Sequence, residues 1–196
     1  MRKVQRGELL GLSEYEQIRE RFRARIIAEK RRRRLNVSEE ISVLFENHYT
    51  VLFQIQEMLW TERIFKRAAV LHELETYNEL IPQSQELSCT MFIEIPDKEV
   101  RERRLVELAG LQGCIAFEVD GVEVPARNET RGVLPDRTTA VHYLKFPLGE
   151  SAIRLNAKRS DREAAGVFFI IDHPQLRVRR ELPTATIHAL AEDLTE

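Results

Sequence analysis

Long apolar runs are missing from this 196-residue chain. That excludes a membrane-spanning helix, which needs about 20 mostly apolar residues in succession. The opening "MRKVQRGELLGLSEYEQ" also lacks the apolar core of a signal peptide, so a cytoplasmic protein is expected. Cysteine is scarce. Cys89 and Cys114 stand 25 positions apart, at the starts of expected strands, which fits neither a metal knuckle nor an iron–sulfur ligand set. They read as reduced, part-buried thiols. Glycine is scarce too, at 8 residues, most of them at expected turns. There is no Gly-rich phosphate loop, no Gly-x-Ser-x-Gly elbow and no local Cys–His signature. No cofactor is evident, and the sequence leaves open whether the protein is an enzyme.

What the chain has is charge on a foldable background. Hydrophobic residues at 43% suffice for a core, and charged residues make up 32%. The net charge of −2 hides an asymmetry. Residues 1–34 hold 12 basic and 5 acidic residues, a balance of +7, whereas residues 35–196 hold 18 and 27, a balance of −9. A positive arm on an acidic body can neutralise its own body as well as a partner.

The basic arm is built on a helix. In "LSEYEQIRERFRARIIAEK", Tyr15, Ile18, Phe22 and Ile26 fall on one stripe at helical spacing. Ser13 and Glu16 have capping-box spacing. Arg19, Arg23 and Lys30 cluster on one flank of the stripe, and Arg21 and Arg25 on the other. The run Arg31 to Arg34 straddles the junction with an alternating segment, a hairpin expected at roughly 32–37 and 41–46. In a strand, Arg31 and Arg33 face opposite to Arg32 and Arg34. The run is then divided between two faces and best read as pairing within the protein. Arg19, Arg23, Lys30, Arg31, Arg33 and Arg34 remain candidates for an anion or an acidic partner. Nucleic acid is not the expected ligand: stacking aromatics are few, and no helix-turn-helix, RNP or zinc-finger pattern appears.

One or two helices are expected over 50–80, ended by Pro82. Gln54, Glu57 and Glu62 lie there, but a di-iron bundle needs Glu-x-x-His pairs, which the chain lacks. Glu62 and Lys66 have the spacing of a helical ion pair.

Beyond residue 86 the pattern repeats. Strand, Pro (Pro96, Pro147), helical segment, Gly (Gly113, Gly166), strand, tight turn (Asp120-Gly121, Asp172-His173-Pro174) and strand recur at offsets of 51, 53 and 52 residues. Self-similar punctuation of this kind points to duplicated units. The expected fold is α+β. A helical N-terminal part with a β-hairpin (1–85) precedes an α+β part (86–196) with two β-α-β-β units, 86–128 and 138–181. A C-terminal helix closes the chain, and the whole is expected as one globular unit.

Two histidines stand out. His142 in "AVHYLKF" shares a strand face with Leu144 and Phe146 and takes the place of Met91 in the repeat. His173 lies in the turn, beside Asp172. With a carboxylate such as Glu94 or Glu118 they could hold a ligand or pass a proton. Neither has a second ligand at close spacing, so no metal site is assigned. His48, His72 and His188 look like ordinary surface or helix positions.

The segments "YEQIRERFRARIIAEKRRRR", "LFENHYTVLFQIQEMLWTERI", "YNELIP", "AVHYLKF" and "IDHP", in that order, resemble the bacterial family called domain of unknown function 3501. Genes of that family often lie beside a rubrerythrin and an iron–sulfur oxidoreductase. The resemblance therefore implies an accessory role near peroxide or oxygen defence, with one of those proteins as partner. Trp60 departs from the family pattern, where a polar or charged residue is expected; an exposed Trp there marks a possible contact surface.

Overall fold

The structure, a computed structural model, describes residues 1–128 and 134–195. Nine strands form two antiparallel sheets among the described residues. The first sheet has the order β1-β2-β3-β7-β6: β1 (Arg34–Asn36), β2 (Ile41–Phe45), β3 (Glu86–Ile93), β7 (Val141–Pro147) and β6 (Arg127–Asn128). The second has the order β5-β4-β8-β9: β5 (Val122–Pro125), β4 (Ile115–Val119), β8 (Val167–His173) and β9 (Leu176–Glu181). Helices α4 (Lys98–Glu107) and α5 (Ser151–Ala157) connect the sheets within each β-α-β-β unit. The α+β class and its duplicated units are as the punctuation predicts.

The pairing reveals an internal two-fold. Exchanging the two units leaves the strand order of the second sheet unchanged. A residue paired with its own repeat equivalent must lie on the axis. Met91 faces His142 across β3 and β7, at the repeat offset of 51. Phe117 faces Phe169 across β4 and β8, at an offset of 52. Phe117, Phe146 and Phe169 pack in series, with ring centroids 5.6 and 6.0 Å apart. Inward residues alternate along β7 and β8, as the period of two requires. They form one apolar cluster between the sheets, joined by Leu105, Leu108 and Leu155 and by Ile187 and Leu190 of α6 (Thr184–Asp193).

A second cluster belongs to the N-terminal part. Val4 and Leu9 pack on α2 (His48–Thr61) and α3 (Arg67–Asn78), against Val51, Ile55, Leu59, Val70 and Leu74. The long helix α1 (Leu12–Arg31) lies along α2.

Several local details differ from the sequence reading. Helix α1 starts two residues early: the Gly11 N–H is held by the Glu14 carboxylate at 3.0 Å, not by a Ser13–Glu16 box. The second hairpin turns at Pro174-Gln175, because His173 is already paired with Leu176. Cys89 lies inside β3 and is buried, rather than at a strand start. Helix α2 stops before Glu62 can pair with Lys66. Arg63 takes a left-handed conformation (φ 53°), and the Ile64 N–H reaches back to the Leu59 carbonyl at 2.9 Å. This is the bond pattern of a Schellman stop. It turns Ile64 onto the second apolar cluster. By contrast, Asp120 and Gly121 both have positive φ, as a two-residue type I′ hairpin needs.

Candidate functional site

The four arginines separate at the end of α1. Arg31 is the last helical residue and is exposed. Arg32 and Arg33 form a turn, so both swing to the same helix instead of alternating as strand residues. Arg32 donates to Glu192 at 2.7 Å and to Glu29 at 2.9 Å. Arg33, only 1% exposed, donates to Glu29 at 2.6 Å and makes a two-point pair with Asp193 of α6. Arg34 opens β1, bonds the Ser42 hydroxyl at 3.0 Å and lies 3.8 Å from Glu94. Burial pushes the Glu29 carboxyl up, but hydrogen bonds from Arg32 and Arg33 outweigh it and hold it below the ordinary value.

Further up α1, Arg19 grips Glu57 of α2 through two nitrogens, each at 2.8 Å. Tyr15 donates its hydroxyl to the same carboxylate at 2.6 Å. Trp60 is part-buried rather than exposed, with the Arg19 guanidinium 4.1 Å and the Arg63 guanidinium 5.1 Å from its ring. Arg21, Arg23, Arg25 and Arg31 are exposed and make no hydrogen bond or ion pair among the described residues. Arg23, Ile27 and Arg31 follow one another at i, i+4 spacing, with Ile27 44% exposed between the charges. Arg25 lies 5.9 Å above the ring of Tyr49, itself exposed.

At the junction of α1, α2 and the first sheet sits a polar centre. Glu46 follows β2 and is buried. One carboxylate oxygen accepts from the Thr50 hydroxyl and the other from the Thr90 hydroxyl, each at 2.6 Å. Asn47 caps α2 by accepting the Thr50 N–H at 2.9 Å, and its amide donates to Glu29 at 2.9 Å. Lys30, half-buried, points its ammonium over Phe53 at 5.1 Å. Burial pulls it below the ordinary lysine value, Glu46 opposes that, and Arg34 adds to it.

The two histidines lie in different sheets and bond to different segments. His142 is buried in β7, with Nε2 3.0 Å from the Thr138 hydroxyl and 2.8 Å from the Thr139 carbonyl; burial lowers its pKa. His173 ends β8. Its Nε2 donates to the Ala109 carbonyl at 3.0 Å, and its Nδ1 accepts the Gln175 N–H at 3.2 Å. Asp172 is exposed and pairs with Arg177 at 3.2 Å. Glu94 accepts from Ser42 at 2.5 Å, and Glu118 pairs with Arg179 at 2.7 Å. Among the described residues no three His, Cys, Asp or Glu side chains group as metal ligands, and no helix is long and apolar enough to cross a membrane.

His48 is not the ordinary surface position it resembled. It is buried, with Nδ1 3.1 Å from the Arg2 carbonyl and Nε2 3.0 Å from Glu8. Together with Asn78 and Gln56, whose amides bond the backbones of Val4 and Leu10, it straps the first ten residues to α2 and α3. Glu46 and Asp193 also escaped the sequence reading, and Glu57, named there only among helix carboxylates, holds Tyr15 and Arg19. The partners of these three carboxylates stand 38 to 160 positions away or are hydroxyls, which carry no charge pattern.

The family described as "Protein of unknown function (DUF3501)" matches residues 3–194, and the chain belongs to it. No curated protein matches. Among solved structures, a crystal structure of a protein of unknown function from Burkholderia pseudomallei K96243 is 30% identical. The match covers 98% of this chain and 100% of that one, with a TM-score of 0.90.

Proposed function

We propose that the protein is an accessory protein that docks an acidic protein partner on the outward face of α1. The observation that carries this is the division of the arginines. Arg19, Arg32 and Arg33 are committed to internal ion pairs and Arg34 donates to Ser42 through one nitrogen, while Arg21, Arg23, Arg25 and Arg31 are exposed with no ion partner among the described residues. The exposed Ile27 and Tyr49 lie among those free charges, and arginine and aromatic anchors are what protein interfaces favour. Charge complementarity then selects an acidic surface and speeds its encounter.

The partner we propose, on the resemblance of the sequence, is a rubrerythrin or an iron–sulfur oxidoreductase in an oxygen-defence system. The protein supplies no redox centre in this reading, and its contribution is binding. Co-purification of the tagged chain with each candidate, at micromolar concentration and low salt, tests it. A complex that dissociates with added salt supports the reading. Absence of any complex with either protein counts against the named partners.

A further inference from the structure

Three of the chain's six lysines are half-buried. Two of these have carboxylate partners: Lys145 pairs with Glu86 at 3.2 Å and Lys158 with Asp120 at 2.7 Å. Lys30 has neither a hydrogen bond nor an ion pair among the described residues. Glu46 is the carboxylate that acts most on it electrostatically, but hydroxyls occupy both of its oxygens. The amine nevertheless meets solvent. Trp60 Nε1 is the one sealed, unpartnered polar side-chain atom among the described residues, and Lys30 Nζ is not sealed. A solvent-reached amine on an aromatic floor, denied a salt bridge, is the environment that makes lysine a nucleophile.

A second cationic group stands four positions on, where β1 opens. Arg34 also acts electrostatically on Lys30 and is 40% exposed. One guanidinium nitrogen donates to the Ser42 hydroxyl at 3.0 Å and lies 3.8 Å from Glu94, and the other nitrogens, with no hydrogen bond among the described residues, keep donors for an incoming anion. We propose that Lys30 is a nucleophilic lysine that forms an imine with an aldehyde or ketone carrying an anionic group, and that Arg34 anchors that group.

The uncharged amine attacks the carbonyl carbon. A C–N bond forms, and the C=O π pair moves onto oxygen, which takes a proton relayed by water from the nitrogen. The carbinolamine then loses its hydroxyl group as water, with a proton delivered to the leaving oxygen, while the nitrogen lone pair forms C=N. One amine and one carbonyl give one imine and one water, and nothing is oxidised or reduced. The protonated imine keeps the positive charge over Phe53 and near Glu46, where the ammonium held it. Burial and the charge of Arg34 favour the uncharged amine that the first step needs.

The test uses the full chain with pyridoxal 5′-phosphate as an anionic aldehyde and butyraldehyde as an uncharged one. Borohydride traps the imine, and peptide mass mapping reads its position. At about pH 7.5, Lys30 is expected to be modified by pyridoxal 5′-phosphate about tenfold faster than the exposed Lys3, Lys66 and Lys98. Arg34→Gln should remove most of that advantage while leaving butyraldehyde modification of Lys30 unchanged. Modification of Lys30 no faster than of the exposed lysines overturns the proposal. Equal slowing of both aldehydes in Arg34→Gln, with an unchanged melting temperature, overturns the role of Arg34.

Discussion

Arg33 and Asp193 lie 160 positions apart and meet in a buried two-point ion pair that ties the end of the basic helix to the C-terminal helix. Removing one partner leaves a buried charge uncompensated. Arg33→Ala or Asp193→Ala should therefore lower stability by about 3–5 kcal/mol. Replacing both with apolar residues of similar volume should recover most of the loss, because the pair's own desolvation cost goes with it. Urea unfolding of the two single variants and the Arg33→Met/Asp193→Leu double variant measures this. A double variant as unstable as the sum of the singles contradicts it.

Acid should loosen this same junction. Glu29 is held below its ordinary value in the fold, despite burial, by Arg32 and Arg33. A carboxyl depressed on folding contributes stability that is complete above its unfolded value, near about 4.3, and is lost as pH falls through the folded value. Unfolding free energy should thus drop steeply from about pH 5 downward. Glu29→Gln should be less stable at neutral pH and show a shallower acid slope. An unchanged slope in Glu29→Gln would show that other carboxylates account for the acid loss.

His142 should behave in the opposite sense to an exposed histidine. Burial favours its neutral form, so its NMR titration midpoint should lie below that of a free histidine, about 6.5. The stability it contributes is complete above that value and erodes as pH falls below it, because the unfolded chain takes up the proton first. His142→Ala leaves the Thr138 hydroxyl and the Thr139 carbonyl without this partner and should cost about 1–3 kcal/mol. A midpoint at or above the free value refutes the burial argument.

The N-terminal strap rests on two amides that read backbone. Asn78 accepts the Val4 N–H at 2.8 Å and donates to the Val4 carbonyl at 3.0 Å, both buried. Asn78→Ala strands a buried donor and acceptor and should cost about 1–3 kcal/mol. Hydrogen exchange should then accelerate first at residues 4–10. Uniform acceleration across the chain would argue against a separately released strap.

The legible parts of the structure were those written in local period. The α1 stripe and the β1–β2 hairpin follow from spacings within a few residues, and the two units from punctuation that recurs at offsets of 51, 53 and 52 residues. The alternation along β7 even placed His142 inward. Pairings between distant segments were hidden. The meeting of Arg33 with Asp193, or of Glu46 with Thr90, is set by how the sheet and helices close on one another. The fate of the arginine run shows the limit well. The spacing predicts a strand over roughly 32–37, but the strand starts at Arg34, and two turn residues send Arg32 and Arg33 to one helix. Lys30 was visible as a basic flank residue, whereas its lack of a counter-ion is visible only in three dimensions.

The central claim is that the free arginines of α1 dock an acidic partner. The most direct measurement is calorimetric titration of the chain and its Arg21→Glu/Arg23→Glu/Arg25→Glu/Arg31→Glu variant into purified rubrerythrin or the iron–sulfur oxidoreductase, at two salt concentrations. These positions carry no internal ion pair among the described residues, so the variant should stay folded, which circular dichroism checks. The account predicts binding by the wild-type chain that weakens with salt, and loss of about 100-fold or more in affinity in the variant. Equal affinity of the two chains at low salt would contradict it.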